Sequence, residues 1–390
     1  MRYELMHRDE PAAVVELTAL GNIARTVEVL DRGALPVCAV RDGRFVPESL
    51  ELWWADRPFP SKRPMYYETL EWTGAYSSLS LLPRSMGLSL SDQFWIREEG
   101  GGARWADVNF FDNPFPGDVG DMMLGSEPVP DPDVRSPDVA TDGVMPKRWT
   151  VRDGRRVLVK GGGPHGQEPF NEVAASMLMD ALGVDHVEYS LCEGKDGKIM
   201  CQCGDFLDGR TELVTASCMY YTLTPRDPRD LYGHLLRCCS EAGMDVTRAL
   251  DEMIVVDYLM LNTDRHFKNF GFVRDAETLE WLGPAPVFDT GMSLQCGEEE
   301  RAMLADAEPA CKPFAGGFDA QLSLATDLGW VDFEALRGAL PEVRGMLEDF
   351  PKSLPAGRID RMMRILERRA EKLVRRAGLL TSPRGSGGHR

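Results

Sequence analysis

An apolar helix that runs directly into a polar loop, with an apolar strand close behind, constrains the fold of this chain more than any other feature. The helix ends near residue 261, and the loop after it carries an acid, a cation, a histidine and an amide, namely Asp264, Arg265, His266 and Asn269. The strand at 285–288 ends in a second acid, Asp289, which is followed by a threonine and a glycine.

These residue types meet the needs of phosphoryl transfer from a nucleotide. That chemistry uses one carboxylate to hold the attacking hydroxyl, and an amide oxygen with a further carboxylate to hold magnesium. We therefore predict Asp264 as the base, and Asn269 and Asp289 as magnesium ligands. A polar residue after a helix is often only a cap, but three in this order favour a catalytic site. Arg265 and His266 are predicted to brace the loop.

Lys160 ends an apolar strand and is followed by three glycines. A kinase needs an ammonium group on a strand to reach the α- and β-phosphates, so Lys160 is predicted to bind the phosphates of ATP. Glu172 follows twelve residues later on the next predicted helix, and could pair with Lys160 as the helix acid of kinases does. A solvated or capping glutamate is an equally good interpretation.

Composition indicates an ordinary globular protein with room for two or three domains. The 390 residues are 43% hydrophobic and 27% charged. The first ten residues are charged and lack the apolar core of a signal peptide, and no stretch approaches the roughly 20 apolar residues of a membrane helix. We expect a cytoplasmic protein without membrane association.

Charge and cysteine content narrow the function further. A net charge of −18 argues against general nucleic-acid binding, although the helix at 358–376 is rich in arginine and lysine. We expect that helix to be solvated or to dock against acidic groups of the protein itself. Nine scattered cysteines do not form a secreted disulfide framework, and the pairs Cys201/Cys203 and Cys238/Cys239 lack the spacing of zinc ligands.

The order of elements predicts an α+β fold with a kinase-like, bilobed layout. Residues 1–125 read as an α+β domain with buried aromatics, of unknown role, and a Pro/Asp-rich linker follows at 127–133. A β-rich lobe is predicted over 126–215, including a hairpin at the Asp153-Gly154 turn. Residues 216–380 are mostly helical by periodicity, and 381–390 read as a disordered tail.

The loop sequence D-R-H-x-x-N resembles the catalytic loop of the HipA-like serine/threonine kinases, the toxin kinases of bacterial toxin–antitoxin modules. The eukaryotic kinase loop has the same gap between acid and amide, with histidine and aspartate exchanged. The resemblance covers roughly 130–375 and includes the strand at 157–160, the helix at 171–176 and the strand at 286–289. Residues 1–125 match the usual amino-terminal subdomain poorly, which indicates a divergent branch.

The resemblance implies further site residues. Family members carry a mobile phosphate-binding loop with a serine that can be autophosphorylated, and its counterpart here is 136–147, without the usual S-G-x-Q-x-K form. It implies Ser136 and Thr141 as autophosphorylation candidates, and Gly143 and Lys147 as phosphate contacts. The hinge that binds adenine should fall at 203–207, with Asp205 and Phe206.

Two other motifs suggest different chemistry. The glycines at 161–166 fit G-x-G-x-x-G after a strand and before a helix, the fingerprint of a dinucleotide-binding oxidoreductase. Strand and helix do not alternate afterwards, as a doubly wound sheet requires. Residues 289–291 spell the D-T-G of an aspartic protease, but a second copy of the motif is lacking and Met292 replaces the expected hydroxyl residue.

The sequence thus favours an ATP- and magnesium-dependent serine/threonine protein kinase of HipA type. Its partners would be a protein substrate with a Ser or Thr acceptor and, as the family resemblance implies, an antitoxin, with no direct nucleic-acid contact. Two alternatives stay open. One is a catalytically weak pseudokinase that senses nucleotide and acts through residues 1–125. The other is a kinase for a lipid or small molecule.

Overall fold

The computed structural model describes residues 1–381. The chain divides into two compact units, of which the first comprises Met1–Gly162, Met200–Asp245 and Phe267–Pro286. The second comprises Gly163–Ile199, Val246–His266 and the residues from Val287 onwards. Each unit contains residues of both the predicted second domain (126–215) and the predicted third domain (216–380). The predicted domain boundaries near 125, 215 and 380 stay predictions. The tail predicted at 381–390 lies, apart from Thr381, outside the described residues.

Strands and helices are both short and numerous. The strands are β1 Arg2–His7, β2 Glu10–Leu17, β3 Ile23–Val29, β4 Val40–Arg41, β5 Arg44–Phe45, β6 Phe94–Glu98, β7 Lys147–Arg152, β8 Arg155–Lys160, β9 Tyr189–Glu193, β10 Ile199–Gly204, β11 Thr211–Thr215, β12 Gly271–Asp275 and β13 Trp281–Pro284. The α-helices are α1 Pro47–Ala55, α2 Tyr66–Thr73, α3 Trp105–Val108, α4 Asp118–Met123, α5 Glu168–Leu182, α6 Ala216–Tyr220, α7 Leu231–Glu241, α8 Thr247–Met260, α9 Phe318–Leu322, α10 Phe333–Glu348 and α11 Ala356–Thr381. Short 3₁₀ helices cover Val37–Ala39, Ser78–Leu81, Pro137–Ala140 and Glu300–Ala302.

The amino-terminal part of the first unit is built on an antiparallel sheet in the order β3-β2-β1-β6. Apolar side chains on β1 and β2 pack with α1 and α4 around Trp54, which is almost fully buried. A second cluster collects Trp95, Trp105, Phe110 and Phe111. The expectation that the aromatics of this region pack in a core is therefore confirmed.

A hairpin of β7 and β8 carries the lysine strand, as the sequence predicted. Asp153 and Gly154 form the two-residue turn with φ of +50° and +76°, and Arg152 pairs with Arg155 across it. Positive φ at both positions defines the type I′ turn that the Asp-Gly sequence favours. β8 also pairs antiparallel with β10. Because both neighbours of β8 run antiparallel to it, the glycines after Lys160 do not open a doubly wound parallel sheet.

The first unit also contains a small antiparallel pair of β4 and β5 and a three-stranded antiparallel sheet in the order β11-β12-β13. The short helix α6 follows β11 directly, and the Thr215 hydroxyl caps it by accepting a hydrogen bond from the amide of Cys218 at 3.3 Å. This capped helix lies against β12 and α7 within the unit.

The second unit is mainly helical. α8 is buried on nearly all sides over its last eight residues, as expected for a central helix that is apolar all round. α5 packs against α8 and α10, and α11 packs against α8 and α10. α8 ends at Met260, and the next residue, Leu261, adopts a left-handed conformation with φ of +53°. This sharp stop directs the chain into the polar loop that the sequence singled out.

The basic helix α11 contacts acidic groups of its own unit. Arg368 binds Asp306 at 2.6 Å, and Arg369 and Lys372 bind Glu308 at 2.9 and 2.7 Å. Several cations of α11 thus bind acidic groups of the protein itself. This agrees with one of the two interpretations predicted for this helix, the other being that it is solvated. Among the described residues, no helix combines the length and apolar character needed to cross a membrane.

Candidate active site

Two lysines face each other across the β7–β8 hairpin of the first unit. Lys147 and Lys160 are directly paired residues of antiparallel strands, so their side chains leave the sheet on the same face. Both are more than nine-tenths buried. The amide of Gly161 donates to the carbonyl of Pro146 at 2.7 Å, which fixes the ends of both strands. Two paired lysines at a strand end suit a ligand with several negative charges, such as a polyphosphate.

Gly143 lies against the Lys147 ammonium. Its φ is +96°, and a Cβ atom at this position would collide with the Lys147 Nζ. The positive φ alone favours glycine here, and any side chain would also displace the Lys147 ammonium. The structure thus brings together Gly143, Lys147 and Lys160, three of the residues predicted to contact phosphate.

Arg63 holds the loop that contains Gly143. Its buried guanidinium donates to the carbonyls of Thr141, Asp142 and Gly143 at 2.5, 2.9 and 2.7 Å through Nη2. Burial lowers the pKa of Arg63 to about 10, although the carboxylates of Asp138 and Asp142 oppose the shift. Sequence reasoning missed Arg63, since it lies about eighty residues before the loop and in no recognisable motif.

The two candidate autophosphorylation sites are engaged in the same loop. Ser136 is fully buried, and its hydroxyl donates to the Asp138 carboxylate at 3.0 Å. The Thr141 hydroxyl donates to the carbonyl of Pro137 at 2.7 Å and accepts from the Trp149 indole at 3.1 Å. Phosphorylation of either residue would require the loop to open. Both sites stay predictions.

Asp205, in the predicted hinge, has an incompletely satisfied carboxylate. Its Oδ1 accepts from the amide of Leu207 at 3.1 Å, and its amide donates to the carbonyl of Arg156 at 2.9 Å. Its Oδ2 is buried and accepts no hydrogen bond from the described residues. Burial raises the pKa of Asp205 to about 7, although the hydrogen bond from the Leu207 amide and the positive charge of Arg156 lower it. Phe206 beside it is exposed.

In the second unit, Asp264 is positioned by a short relay from α8. The buried Asn262 side chain donates to Asp257 Oδ1 at 2.8 Å and accepts from the amide of Asp264 at 3.1 Å. The Asp264 carboxylate is partly exposed and accepts from Lys312 Nζ at 2.7 Å. His266 Nε2 lies 3.9 Å from Asp264 Oδ2.

Arg265 joins the polar loop to the segment just before Asp289. The prediction of a strand at 285–288 was wrong, because β13 ends at Pro284 and Val287 forms only an isolated parallel bridge with His186. Its guanidinium is fully buried and binds Asp257 through Nε at 2.9 Å and Nη2 at 3.0 Å. Its Nη1 donates to the carbonyl of Phe288. Burial lowers the pKa of Arg265, but the Asp257 carboxylate, with weaker contributions from Asp289 and Glu172, raises it further, to a net value above the ordinary one.

Asp289 stands in a left-handed conformation, and the residues after it are held by α5. Its φ is +59°, which is uncommon for a residue other than glycine and places strain at this position. Thr290 donates from both its amide and its hydroxyl to Glu172 Oε2 at 2.8 Å. The Asn171 side chain donates to the carbonyl of Gly291 at 2.8 Å. The D-T-G segment is thus a loop anchored to a helix, and Glu172 is its main anchor within this unit.

Asn269 belongs to the first unit, where α6 holds its neighbours. The amide of Ser217 donates to the carbonyl of Phe267 at 2.8 Å, and the amide of Ala216 donates to the carbonyl of Phe270 at 2.9 Å. Asn269 lies between these two anchors and is largely buried. Its backbone path is therefore fixed on both sides.

Sequence reasoning also missed three residues of the second unit, Asp257, Asn262 and Lys312. Asp257 carried a signal, since an acid in the middle of an otherwise apolar helix needs a buried partner. Asn262 could have been read as an Asx residue preceding Asp264. Lys312 lies 48 residues after Asp264 in a segment without periodicity, so no local pattern pointed to it.

The donor set suits magnesium better than a transition metal. Among the described residues, no group of three or more His, Cys, Asp or Glu side chains could hold a metal ion. The predicted ligands Asn269 and Asp289 offer only hard oxygen atoms. Mg²⁺ is commonly bound by one or two protein oxygens together with water and the phosphates of a substrate.

A lysine-bearing antiparallel hairpin in one unit and a helix-to-loop acid in the other are features of the kinase-like folds. The chain belongs to the family defined by the HipA-like C-terminal domain, whose sequence profile matches residues 139–349. Both the fold class and the family resemblance read from the sequence are thereby confirmed. No curated protein sequence matches the chain.

The solved structures that this chain matches include a HipA and a second kinase. HipA of Shewanella oneidensis MR-1, solved with HipB and its operator DNA, is 14% identical with a TM-score of 0.54, covering 95% of this chain and 99% of that one. The Helicobacter pylori proinflammatory kinase CtkA is 19% identical with a TM-score of 0.49, covering 60% of this chain and 94% of that one.

Proposed function

We propose that this chain is a HipA-type protein kinase that uses ATP and magnesium to phosphorylate a Ser or Thr hydroxyl of a protein substrate. The observation that carries the proposal is the contact set of Arg265. This buried side chain ties the loop that begins with Asp264 to the carbonyl just before Asp289. The two acids most needed for the reaction are therefore set by one rigid, charge-assisted element.

In this proposal Lys147 and Lys160 bind the phosphates, and Gly143 allows the loop backbone to approach them. Asp205 and Phe206 line the adenine site, where the buried Asp205 Oδ2 offers an acceptor for an amino group. Asn269 and Asp289 hold magnesium, which neutralises charge on the transferred phosphoryl group when bound. Asp264 accepts the proton of the attacking hydroxyl. Arg265 and Glu172 keep both acidic loops in place, and His266 flanks Asp264.

We also propose a protein partner of the antitoxin type. The support is the HipA of Shewanella oneidensis, whose structure was solved with HipB and operator DNA. The net charge of −18 argues that any DNA contact would come through such a partner and not through this chain. Autophosphorylation at Ser136 or Thr141 belongs to the same proposal, with the loop opening first.

The test compares the wild type with Asp264→Asn. After incubation with Mg·ATP, intact mass should show a phosphate added to the wild type or to a co-incubated protein substrate, and no addition with the variant. The side chains are nearly isosteric, so nucleotide binding should survive and can be measured by thermal shift.

Asp349→Asn is the matched control, because Asp349 is an exposed acid at the end of α10. It should transfer phosphate like the wild type. Equal transfer by Asp264→Asn would contradict the proposed base. If the wild type binds nucleotide but transfers no phosphate, the pseudokinase alternative is favoured. If it transfers phosphate only to a lipid or a small molecule, the alternative of a lipid or small-molecule kinase is favoured.

A further inference from the structure

Two cysteines that are 180 residues apart in the sequence lie side by side in the first unit. Cys38 is in the 3₁₀ helix Val37–Ala39, and Cys218 is in the first turn of α6. Their sulfur atoms are 3.2 Å apart and share a hydrogen bond. Both are free thiols. Two thiols in such contact can be joined covalently after a shift of roughly 1 Å, because a disulfide needs a sulfur separation of about 2.05 Å.

The two thiols differ in access and in acidity. Cys218 is partly exposed, whereas Cys38 is buried. The hydrogen bond with Cys38 lowers the pKa of Cys218, and the Thr215 hydroxyl and the positive charge of Lys268 act in the same direction, while burial and the Asp92 carboxylate oppose the shift. The hydrogen bond with Cys218, together with burial, raises the pKa of Cys38 well above its usual value. Because a small disulfide can reach only the partly exposed thiol, we assign Cys218 as the attacking cysteine and Cys38 as the resolving one.

We propose that Cys38 and Cys218 are a redox-active pair that forms a reversible disulfide by exchange with a low-molecular-weight disulfide. The Cys218 thiolate attacks one sulfur of the small disulfide, whose S–S bond breaks, and the first small thiolate leaves. Cys38 then loses its proton to that thiolate and attacks the Cys218 sulfur, and the second small thiolate leaves. The two cysteines lose two electrons in total, and the small disulfide is reduced to two thiols.

The position of the pair connects it to the segment around Asn269. α6 carries Cys218, and the amides of Ala216 and Ser217 in the same turn hold the carbonyls of Phe270 and Phe267. A disulfide would tie this turn to Val37–Ala39 within the unit. The modification site is independent of the proposed kinase activity, because it rests only on the two thiols and their surroundings.

The experiment uses the full chain, reduced and then incubated with glutathione disulfide. Remaining thiols are alkylated, and the protein is digested with trypsin without reduction. Cleavage after arginine isolates Cys38 in peptide 33–41 and Cys218 in peptide 211–226, each with no other cysteine. We expect a cross-linked product of these two peptides that disappears on reduction. A wild-type digest without this product, or with Cys38 and Cys218 both alkylated, would overturn the proposal.

Variants separate the two steps. Cys38→Ser should stop at the first step and accumulate a glutathione adduct on Cys218, whereas Cys218→Ser should form neither cross-link nor adduct on Cys38. Cys192→Ser is the control, since Cys192 is a partly exposed cysteine elsewhere in the chain, and it should give the wild-type cross-link. Since the main result comes from the wild type, a variant that fails to fold does not affect it. Adduct formation on Cys38 in preference to Cys218 would contradict the assigned roles.

Discussion

At the scale of single residues, Arg265 and Asp257 form a fully buried ion pair. Removing two charges from water costs free energy. The pair is stable only when the guanidinium and the carboxylate both form well-aligned hydrogen bonds in the interior. The forked guanidinium binds both oxygens of Asp257 and still reaches a carbonyl. Lysine could not reproduce this set of contacts, because it lacks the planar fork.

Arg265→Ala should therefore lower the free energy of unfolding by about 3–5 kcal/mol, since it leaves the Asp257 charge buried without its partner. The measurement is a urea unfolding curve. Arg337→Ala removes the exposed pair with Glu334 and should unfold close to the wild type. If both variants lose a similar free energy of unfolding, the buried pair contributes no more to stability than the exposed one.

The buried carboxyl group of Asp205 should make the stability of the protein fall as pH rises. Its folded pKa, about 7, lies above the ordinary value of 3.8, so the folded state binds a proton more tightly than the unfolded state. The contribution of Asp205 to stability is complete below the unfolded pKa and is lost as pH rises through the folded one. Asp205→Asn should thus gain stability relative to the wild type as pH rises between about 4 and about 8.

Thermal unfolding of both proteins across that range tests this, with Asp349→Asn again as the control. The difference between Asp205→Asn and wild type should grow with pH, while the control difference stays flat. A constant difference for Asp205→Asn would mean that the carboxyl is not perturbed by burial.

At the scale of elements, the sequence predicted those hairpins and helices that are determined by residues close together in the chain. The β7–β8 hairpin followed from the Asp-Gly turn, since that dipeptide tolerates positive φ at both positions. The helix before Asp264 followed from its apolar run. The loop at 136–147 could be placed only by the family resemblance, because Arg63, which holds it, comes from a distant part of the chain.

α10 contains an exposed glycine that costs it stability. Gly338 lies within the helix, and a Cβ there would meet no atom within 4 Å. Gly338→Ala should raise the free energy of unfolding by about 0.5–1 kcal/mol, because alanine loses less conformational freedom in a helix. Gly154→Ala, at the left-handed turn position, should destabilise in the same chemical unfolding assay. Equal effects at both sites would contradict this backbone argument.

At the scale of the whole molecule, the sequence predicted the α+β class, the family and the order of β-rich and helical parts. It did so because the short β-type runs before residue 215, the helical periodicity after it and the polar motif at 264–269 are all local features of the chain. It could not predict which distant residues meet, such as Lys312 with Asp264 or Glu172 with Thr290. Those pairs depend on tertiary packing, which periodicity does not encode.

Ligand binding should appear as a gain in stability of the whole protein. A nucleotide at about 100 times its dissociation constant adds about 2.7 kcal/mol to a protein that binds it only when folded. Mg·ATP should therefore raise the melting temperature of the wild type, and Lys160→Met should abolish the rise. Lys62→Met, at an exposed lysine, should retain it. A full rise in Lys160→Met would exclude Lys160 from the phosphate site.

The division of the chain into interleaved units has a consequence for its synthesis. The first unit ends with the segment Phe267–Pro286, so its last strands leave the ribosome long after Gly162. At about 5–20 residues per second, that delay is on the order of ten seconds. Until β10 emerges, β8 presents an unpaired edge, which is a site for wrong pairing. This exposure lasts only a few seconds of the full delay, since β10 follows β8 by about forty residues.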